Sequence, residues 1–376
     1  MVTRIFIIRH AEAEGNIFRR AHGWYNAPLT ENGLKQVENL KNRLIGEHID
    51  VIYSSDLRRT MQTAAAPSRA CGLEIIPEKG LRELAMGDWE NLSWGDCYHI
   101  DYELTAHFAD NPDWRAPNTE SVREMYERTG EALFRILERH EGQTVCLVSH
   151  SVAIRALMTR MLYNDIGKFA DVKMVGNASL SLFEYENGVF TPIFISSNEH
   201  NAGNPLFLSK PMPGSDERPN LWFRNAEPSE IDFAASLWKD AWKAVHRSGF
   251  GFDEAAARET LATYLSRRAD AIRLAFCGDE PAGIVVFDHE PNEAGVLHIV
   301  LFMLREKFRG HGLALQLFGE CMTMARLAGK STLRLRVAKK NRKAYDFYTK
   351  NGCYEVFDEG QDVLMKRDIL PVDVLK

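Results

Sequence analysis

Cysteine is scarce and scattered in this chain: six in 376 residues, Cys71, Cys97, Cys146, Cys277, Cys321 and Cys353, with no Cys-x-x-Cys pair. That pattern argues against a disulfide framework or a zinc site and points to a reducing compartment, so a cytoplasmic location is expected. Long apolar runs are missing too. None approaches the roughly 20 residues of a membrane-spanning helix, and the N-terminus lacks a signal-peptide pattern, so no membrane partner is expected. Nor is there an excess of positive charge. With 46 Lys and Arg against 52 Asp and Glu, the formal net charge is -6, which offers no general attraction for nucleic acid. Any phosphate must be recognised by local basic clusters.

What is present is ordinary for a globular protein, 45% hydrophobic and 26% charged, and the length favours two domains. Residues 4–8 read as a buried strand that empties into Arg9-His10. Thr30 is a plausible N-cap for a helix whose inner face is Leu34, Val37, Leu40 and Leu44. A strand at 50–53 leads to Ser54-Ser55-Asp56-Leu57-Arg58-Arg59 and a helix. A third strand is expected at 73–76, before Leu81-Arg82-Glu83. Ser121 and Glu124 form a capping box for a helix to Arg139, and a strand at 145–148 ends in Ser149-His150-Ser151. Two closing strands follow, at 177–184 and 189–195. Alternating strands and helices predict an α/β fold with a mainly parallel sheet whose strand ends line one site. Two arginines, two histidines and a glutamate would converge there. That set suits a phosphoryl group: guanidinium forks match phosphate oxygens, imidazole can attack phosphorus, and a carboxylic acid can protonate the leaving oxygen.

Several stretches occur in an order that resembles the histidine phosphatase superfamily, which includes phosphoglycerate mutases. They are Arg9-His10-Ala11-Glu12 with Asn16, Leu29 to Gly33, Ser55 to Arg59, Leu81-Arg82-Glu83 with Gly87-Asp88-Trp89-Glu90, and Ser149-His150. Ala11 and Ser151 stand where glycine is common in that family. The resemblance implies a three-layer α/β/α phosphoglycerate mutase-like domain over residues 1–202. It implies that His10 is the nucleophile that becomes phosphohistidine, that Arg9, Arg59, His150 and Asn16 hold the phosphate, and that Glu83 donates the proton. Arg58 is the neighbouring alternative to Arg59. Mutases of the family carry a long insertion between the acid and the second histidine. Here Glu83 and His150 are close in sequence, which favours hydrolysis over mutase chemistry. Trp24, Tyr25, Trp89, Trp94, Tyr98 and Trp114 are candidates to line the leaving-group pocket.

Residues 203–220 lose all periodicity and are rich in Asn, Pro, Gly and Ser, as expected of a linker. A second domain, 221–376, follows. Helices are expected at 230–245 and 254–267, and strands at 271–277, 283–288 and 296–304. The last strand leads into a glycine loop and a helix to Ala328; a strand at 333–337 and a helix opening at Asn341 follow. Strand, glycine loop and helix is a geometry that binds anions on free backbone N–H groups. Arg309-Gly310-His311-Gly312-Leu313-Ala314, and Asn341 with Ala344, Phe347-Tyr348 and Gly352, resemble the two signatures of the GNAT acetyltransferases. That resemblance implies an α+β domain with a mixed sheet. It implies acetyl-CoA as cosubstrate, its pyrophosphate on Arg309 to Ala314 and its pantetheine arm along Asn341 and the backbone of Met303 and Leu304. Tyr348 would sit at the thioester sulfur. His298 is a candidate general base that also reads as a packed strand residue.

The sequence therefore predicts a bifunctional enzyme: a histidine-dependent phosphatase fused to an N-acetyltransferase, with small phosphate esters and amines as substrates. Neither chemistry requires a metal. The fusion motivates the expectation that both sites serve one family of amine-bearing phosphate esters. The rival reading is a regulatory protein in which one domain only binds its ligand. The oligomeric state is not legible.

Overall fold

The structure, a computed structural model, describes residues 1–108, 111–203, 219–290 and 293–375. Of the expected linker at 203–220, residues 204–218 lie outside the described set. Contacts divide the chain into two units. The described residues of Met1–Leu92, Ile100–Phe207 and Asp373–Lys376 form the first, and those of Ser93–His99 and Leu208–Val372 the second. Among the described residues no helix is long and apolar enough to cross a membrane.

In the first unit, β1 (Thr3–Arg9), β2 (Val51–Ser54), β3 (Ile75–Pro77), β4 (Thr144–Ser149), β5 (Leu180–Glu186) and β6 (Val189–Ser197) form one sheet in the order β3-β2-β4-β1-β5-β6. The first four run parallel, and β5 and β6 add antiparallel at one edge. Helices α1 (Glu14–Phe18), α2 (Glu31–Leu44) and α3 (Arg58–Cys71) come first. After α4 (Trp94–Ile100), most of which packs in the second unit, come α5 (Tyr102–Ala106), α6 (Val122–Arg139) and α7 (Ser151–Tyr163). Because side chains alternate along a strand, β1 feeds two cores. Ile5 and Ile7 join Leu133, Ile136 and Leu137 of α6 and Ile154 and Leu157 of α7. Phe6 and Ile8 join Val37, Leu40 and Leu44 of α2 and Ala64 of α3. The first unit is thus three-layered, α/β/α, as the family resemblance implies, with the mainly parallel sheet that the alternating pattern predicts.

Local signals hold at the helix starts. Thr30 accepts from the N–H of Gly33, and Ser121 and Glu124 cap α6 reciprocally. Gly33 is required for a second reason: a Cβ there would stand 2.1 Å from the carbonyl oxygen of Glu12. The Glu12 carboxylate accepts from Thr30 and Asn32, which ties the loop after β1 to the start of α2.

The second unit has a mixed sheet of β7 (Trp222–Asn225), β8 (Ile272–Cys277), β9 (Glu280–Asp288), β10 (Val296–Leu304), β11 (Thr332–Ala338), β12 (Tyr354–Asp358) and β13 (Asp362–Asp368), ordered β12-β13-β11-β10-β9-β8-β7. Its helices are α8 (Ile231–His246), α9 (Glu254–Arg267), α10 (Leu313–Leu327) and α11 (Arg342–Lys350). β10 and β11 are parallel, and their ladder runs from Val296 and Thr332 only to Ile299 and Leu335. The outer half of β10 is therefore unpaired on that side. Residues Ser93–His99 lie along β7, where Ser93 donates to the Leu221 carbonyl and Asp96 accepts from the Phe223 N–H.

Candidate active site

In the first unit the expected residues meet beyond the strand ends. Arg9 closes β1 and His10 follows it; His150 follows β4 and caps α7; Arg59 lies in the first turn of α3; Glu83 follows a short turn after β3. His10, Arg59, Glu83 and His150 are all buried. The two imidazole rings have centroids 5.3 Å apart. His10 Nδ1 lies 2.7 Å from the carbonyl oxygen of Ala11. A carbonyl only accepts, so Nδ1 carries the proton and Nε2 keeps its lone pair. His150 is fixed in the opposite sense. Its Nδ1 accepts from Arg59 Nε at 3.1 Å, and its Nε2 donates to Ser55 Oγ at 2.8 Å.

The electrostatics favour neutral rings beside two cations. Burial first, then the Arg59 and Arg9 guanidinium charges, hold His10 well below its ordinary range. His150 is lowered by burial, Arg59 and His10 in that order. Burial brings Arg9 and Arg59 each down to about 10, with Glu83 the leading charge that opposes the shift. Arg9 donates Nη1 to the Val175 carbonyl, while its Nε is buried without a hydrogen-bond partner among the described residues. A cluster that concentrates guanidinium charge in this way is suited to an anion.

Arg59, rather than Arg58, reaches His150, and it does so because backbone carbonyls aim it. Its Nη1 donates to Tyr25 O, and its Nη2 to Gly23 O and His22 O. The N–H groups of Gly23, Trp24 and Tyr25 in turn donate to the carboxylate of Glu90, whose pKa burial raises against those hydrogen bonds. Glu83 accepts from the N–H groups of Leu84, Val152 and Ala153, so its carboxylate sits on the first turn of α7. Arg128 of α6 donates to the carbonyls of Gly80, Arg82 and Glu83 and is paired with Glu120. Asn16 Oδ1 is occupied by the N–H of Ala13 and by Asn177, which also donates to the His10 carbonyl.

Sequence reasoning missed Ser55, Glu90, Arg128, Glu120 and Asn177 as parts of this frame. Glu90 lies in the Gly87-Asp88-Trp89-Glu90 stretch, but its partners are backbone atoms. Arg128 and Glu120 look in sequence like an ordinary surface pair. The aromatic candidates divide. Trp24 donates its indole N–H to the Glu83 carbonyl, and Tyr25 supplies a carbonyl to Arg59. Trp89 and Trp114 instead pack on each other in the interior, 6.0 Å apart, and Trp94 and Tyr98 belong to the segment that packs in the second unit.

In the second unit Gly310 and Gly312 adopt φ of 85° and 82°, a left-handed backbone that glycine takes without strain. Gly312 caps α10, and the N–H groups of Gly310, Leu313 and Ala314 make no backbone hydrogen bond among the described residues. Arg309 secures the loop by donating Nε to the Leu304 carbonyl at 2.7 Å, and Asn341 caps α11 by accepting from Ala344. Met303 and Leu304 lie on the unpaired half of β10, as does Phe302, which packs edge-on to Tyr348 at 5.8 Å. Tyr348 is buried, and burial, then Cys321 and Cys353, raise its phenol well above its ordinary value. His298 lies in the paired half of β10, opposite Arg334, whose Nε donates to its Nδ1. Burial and then Arg334 lower its pKa to about 4. It is a packed strand residue.

Residues 5–196 match the histidine phosphatase superfamily (branch 1), and residues 234–353 match the acetyltransferase (GNAT) family. Among curated proteins the chain is 34% identical over 186 residues to Phosphoserine phosphatase 1 of Hydrogenobacter thermophilus, covering 49% of this chain and 88% of that one. It is 33% identical over 186 residues to Probable phosphoglycerate mutase GpmB of Proteus mirabilis, covering 49% and 86%. Among solved structures it resembles Bacillus stearothermophilus YhfR, with a TM-score of 0.50 and 28% identity over 53% of this chain and 98% of that one.

Proposed function

The chain belongs to the histidine phosphatase superfamily and carries a GNAT acetyltransferase region, and from that premise we propose an enzyme with two active sites, one hydrolysing phosphate monoesters and one acetylating amines. The observation that carries the first assignment is the tautomer of His10. With its proton held by the Ala11 carbonyl, Nε2 keeps a lone pair beside the guanidinium charges of Arg9 and Arg59 and the ring of His150. Nε2 attacks phosphorus, the bond from phosphorus to the ester oxygen breaks, and Glu83, which takes up a proton as the phosphate dianion binds beside it, delivers that proton to the departing alkoxide. Water then attacks the phosphohistidine, gives its proton to Glu83 and releases phosphate with His10 restored. Arg9, Arg59, His150 and the amide of Asn16 hold the phosphoryl oxygens throughout. Incubating wild type and His10→Ala with an aryl phosphate tests this. Wild type should hydrolyse it and give an acid-labile phosphoprotein, whereas His10→Ala gives neither; full activity in His10→Ala ends the assignment.

For the second site the support is the parting of β10 and β11 beside a glycine loop in which the N–H groups of Gly310, Leu313 and Ala314 have no backbone partner among the described residues. Acetyl-CoA would supply the activated acetyl group. The loop from Arg309 to Ala314 binds its pyrophosphate, the open edge at Met303 and Leu304 takes the pantetheine amides, and Asn341 flanks the arm. Tyr348 donates a hydrogen bond to the sulfur as charge develops there. Its raised pKa makes it a hydrogen-bond donor rather than a full proton donor.

A shared class of substrate, amine-bearing phosphate esters, is the finer reading. The relative from Hydrogenobacter thermophilus is named a phosphoserine phosphatase, and phosphoserine has both groups. Mass spectrometry after incubation with acetyl-CoA and a panel of amino-alcohol, amino-acid and amino-sugar phosphates should show one product that has lost phosphate and gained acetyl. Optimal substrates with no common scaffold would end this finer reading and leave both activities standing.

A further inference from the structure

Four successive peptide groups, from the His22 carbonyl to the Asn26 N–H, form the frame that aims Arg59. Arg59 takes three of their four carbonyls, those of His22, Gly23 and Tyr25. Glu90 takes three of their four N–H groups, those of Gly23, Trp24 and Tyr25. The two groups left over point the other way, as alternate groups of an extended strand do. They meet the chain's C-terminal segment, which packs in the first unit. Asn26 N–H donates to the Asp373 carbonyl at 2.9 Å, and Leu375 N–H donates to the Trp24 carbonyl at 3.2 Å. Together they make an antiparallel bridge between Tyr25 and Val374. The Asn26 side chain adds a bond to the Asp373 carboxylate at 3.3 Å and accepts from the N–H of Arg58, the residue before Arg59.

We propose that residues 373–375 are a strap that positions Arg59 through the 22–26 loop, so that phosphoryl binding at the first site depends on a segment lying beyond the acetyltransferase sequence. The strap touches no reacting atom. Its effect passes through the two peptide groups on either side of the Tyr25 Cα: one carries the Trp24 carbonyl held by the strap and the Tyr25 N–H bound to Glu90, the other the Asn26 N–H held by the strap and the Tyr25 carbonyl bound to Arg59. The proposal rests on the phosphatase reading of that site.

The test uses the full chain, the chain ended after Val372, and Leu375→Pro, which deletes one donor N–H without shortening the chain. Hydrolysis of 4-nitrophenyl phosphate, inhibition by orthovanadate and binding of acetyl-CoA are measured for each. In both altered chains KM and the vanadate inhibition constant should rise about fivefold, the scale of one or two lost hydrogen bonds, with a smaller change in kcat. Acetyl-CoA binding should not move, and Leu375→Val, which keeps the N–H, should match wild type. Unchanged vanadate inhibition in both altered chains overturns the strap, as does an equal loss of acetyl-CoA binding, which marks general unfolding. If wild type neither hydrolyses the ester nor binds vanadate, the phosphatase reading fails first and the strap with it.

Discussion

Arg59 and His150, both expected to grip a phosphate, grip each other: Arg59 Nε donates to His150 Nδ1 across 3.1 Å. The proton of His150 is thereby placed on Nε2, against Ser55 Oγ. For His150 to donate to a phosphoryl oxygen from Nδ1, the ring must shift its proton or gain one. A serine hydroxyl suits that change, because it can accept from Nε2 or donate to it.

Ser55→Ala should therefore leave Nε2 of His150 buried without a partner. The expected cost is about 1–3 kcal/mol of stability, measured by urea unfolding. The phosphatase kcat/KM should fall about tenfold, measured with an aryl phosphate, by a comparable lost interaction. A variant as active and stable as wild type means that the Ser55 bond is incidental.

Stability should depend on pH through the two buried histidines. Both have folded pKa values well below the ordinary 6.5, so the unfolded chain binds their protons first as pH falls. The stabilisation from keeping these rings neutral is thus fully present above about pH 6.5 and is lost progressively below it, by up to about 1.4 kcal/mol per pH unit per ring. The slope of unfolding free energy between pH 6.5 and 5 should be shallower in His10→Asn than in wild type. Parallel slopes would show that His10 does not titrate as its surroundings dictate.

Glu90→Gln should damage the first site without touching its reacting groups. The carboxylate accepts from four N–H groups, those of Gly23, Trp24, Tyr25 and Met86. An amide replaces one acceptor oxygen with an NH2 facing donors. Loss of about 2 kcal/mol from transition-state binding, or roughly thirtyfold in kcat/KM, is expected, with acetyl-CoA binding intact. Retained phosphatase activity would mean that the 22–26 loop is held well enough by its other contacts.

These cases show what was legible in the sequence. Residues whose side chains are proposed to do chemistry stood out, because Arg9, His10, Arg59, Glu83 and His150 each lie at or beyond a strand end. The unbroken apolar run Ile5, Phe6, Ile7 and Ile8 was readable as a strand buried on both faces, for the same physical reason that built the layers. Support through main-chain atoms left no such trace: nothing about Tyr25 or Leu375 says that its peptide group matters. β12 was missed because all five of its residues are exposed, so no buried face imposes a pattern. The third strand, expected at 73–76, is instead Ile75–Pro77, since short edge strands are bounded by pairing rather than by composition.

Tyr348→Phe should separate binding from turnover at the second site. The ring packs against Phe302, Phe318 and Phe347, and phenylalanine keeps those contacts, so acetyl-CoA affinity should stay within about twofold of wild type. In the proposed mechanism the hydroxyl is used only as charge grows on sulfur, so kcat should fall by about ten- to a hundredfold. The raised phenol pKa adds a second expectation. The proton stays on Tyr348 throughout the working range, so its ionisation should cause no fall in kcat up to pH 10, and Tyr348→Phe should leave the shape of the alkaline limb unchanged. A wild-type downturn near pH 9 that disappears in Tyr348→Phe would show that the tyrosine ionises more readily than its buried, aromatic setting dictates, and would make it a full proton donor to the thiolate.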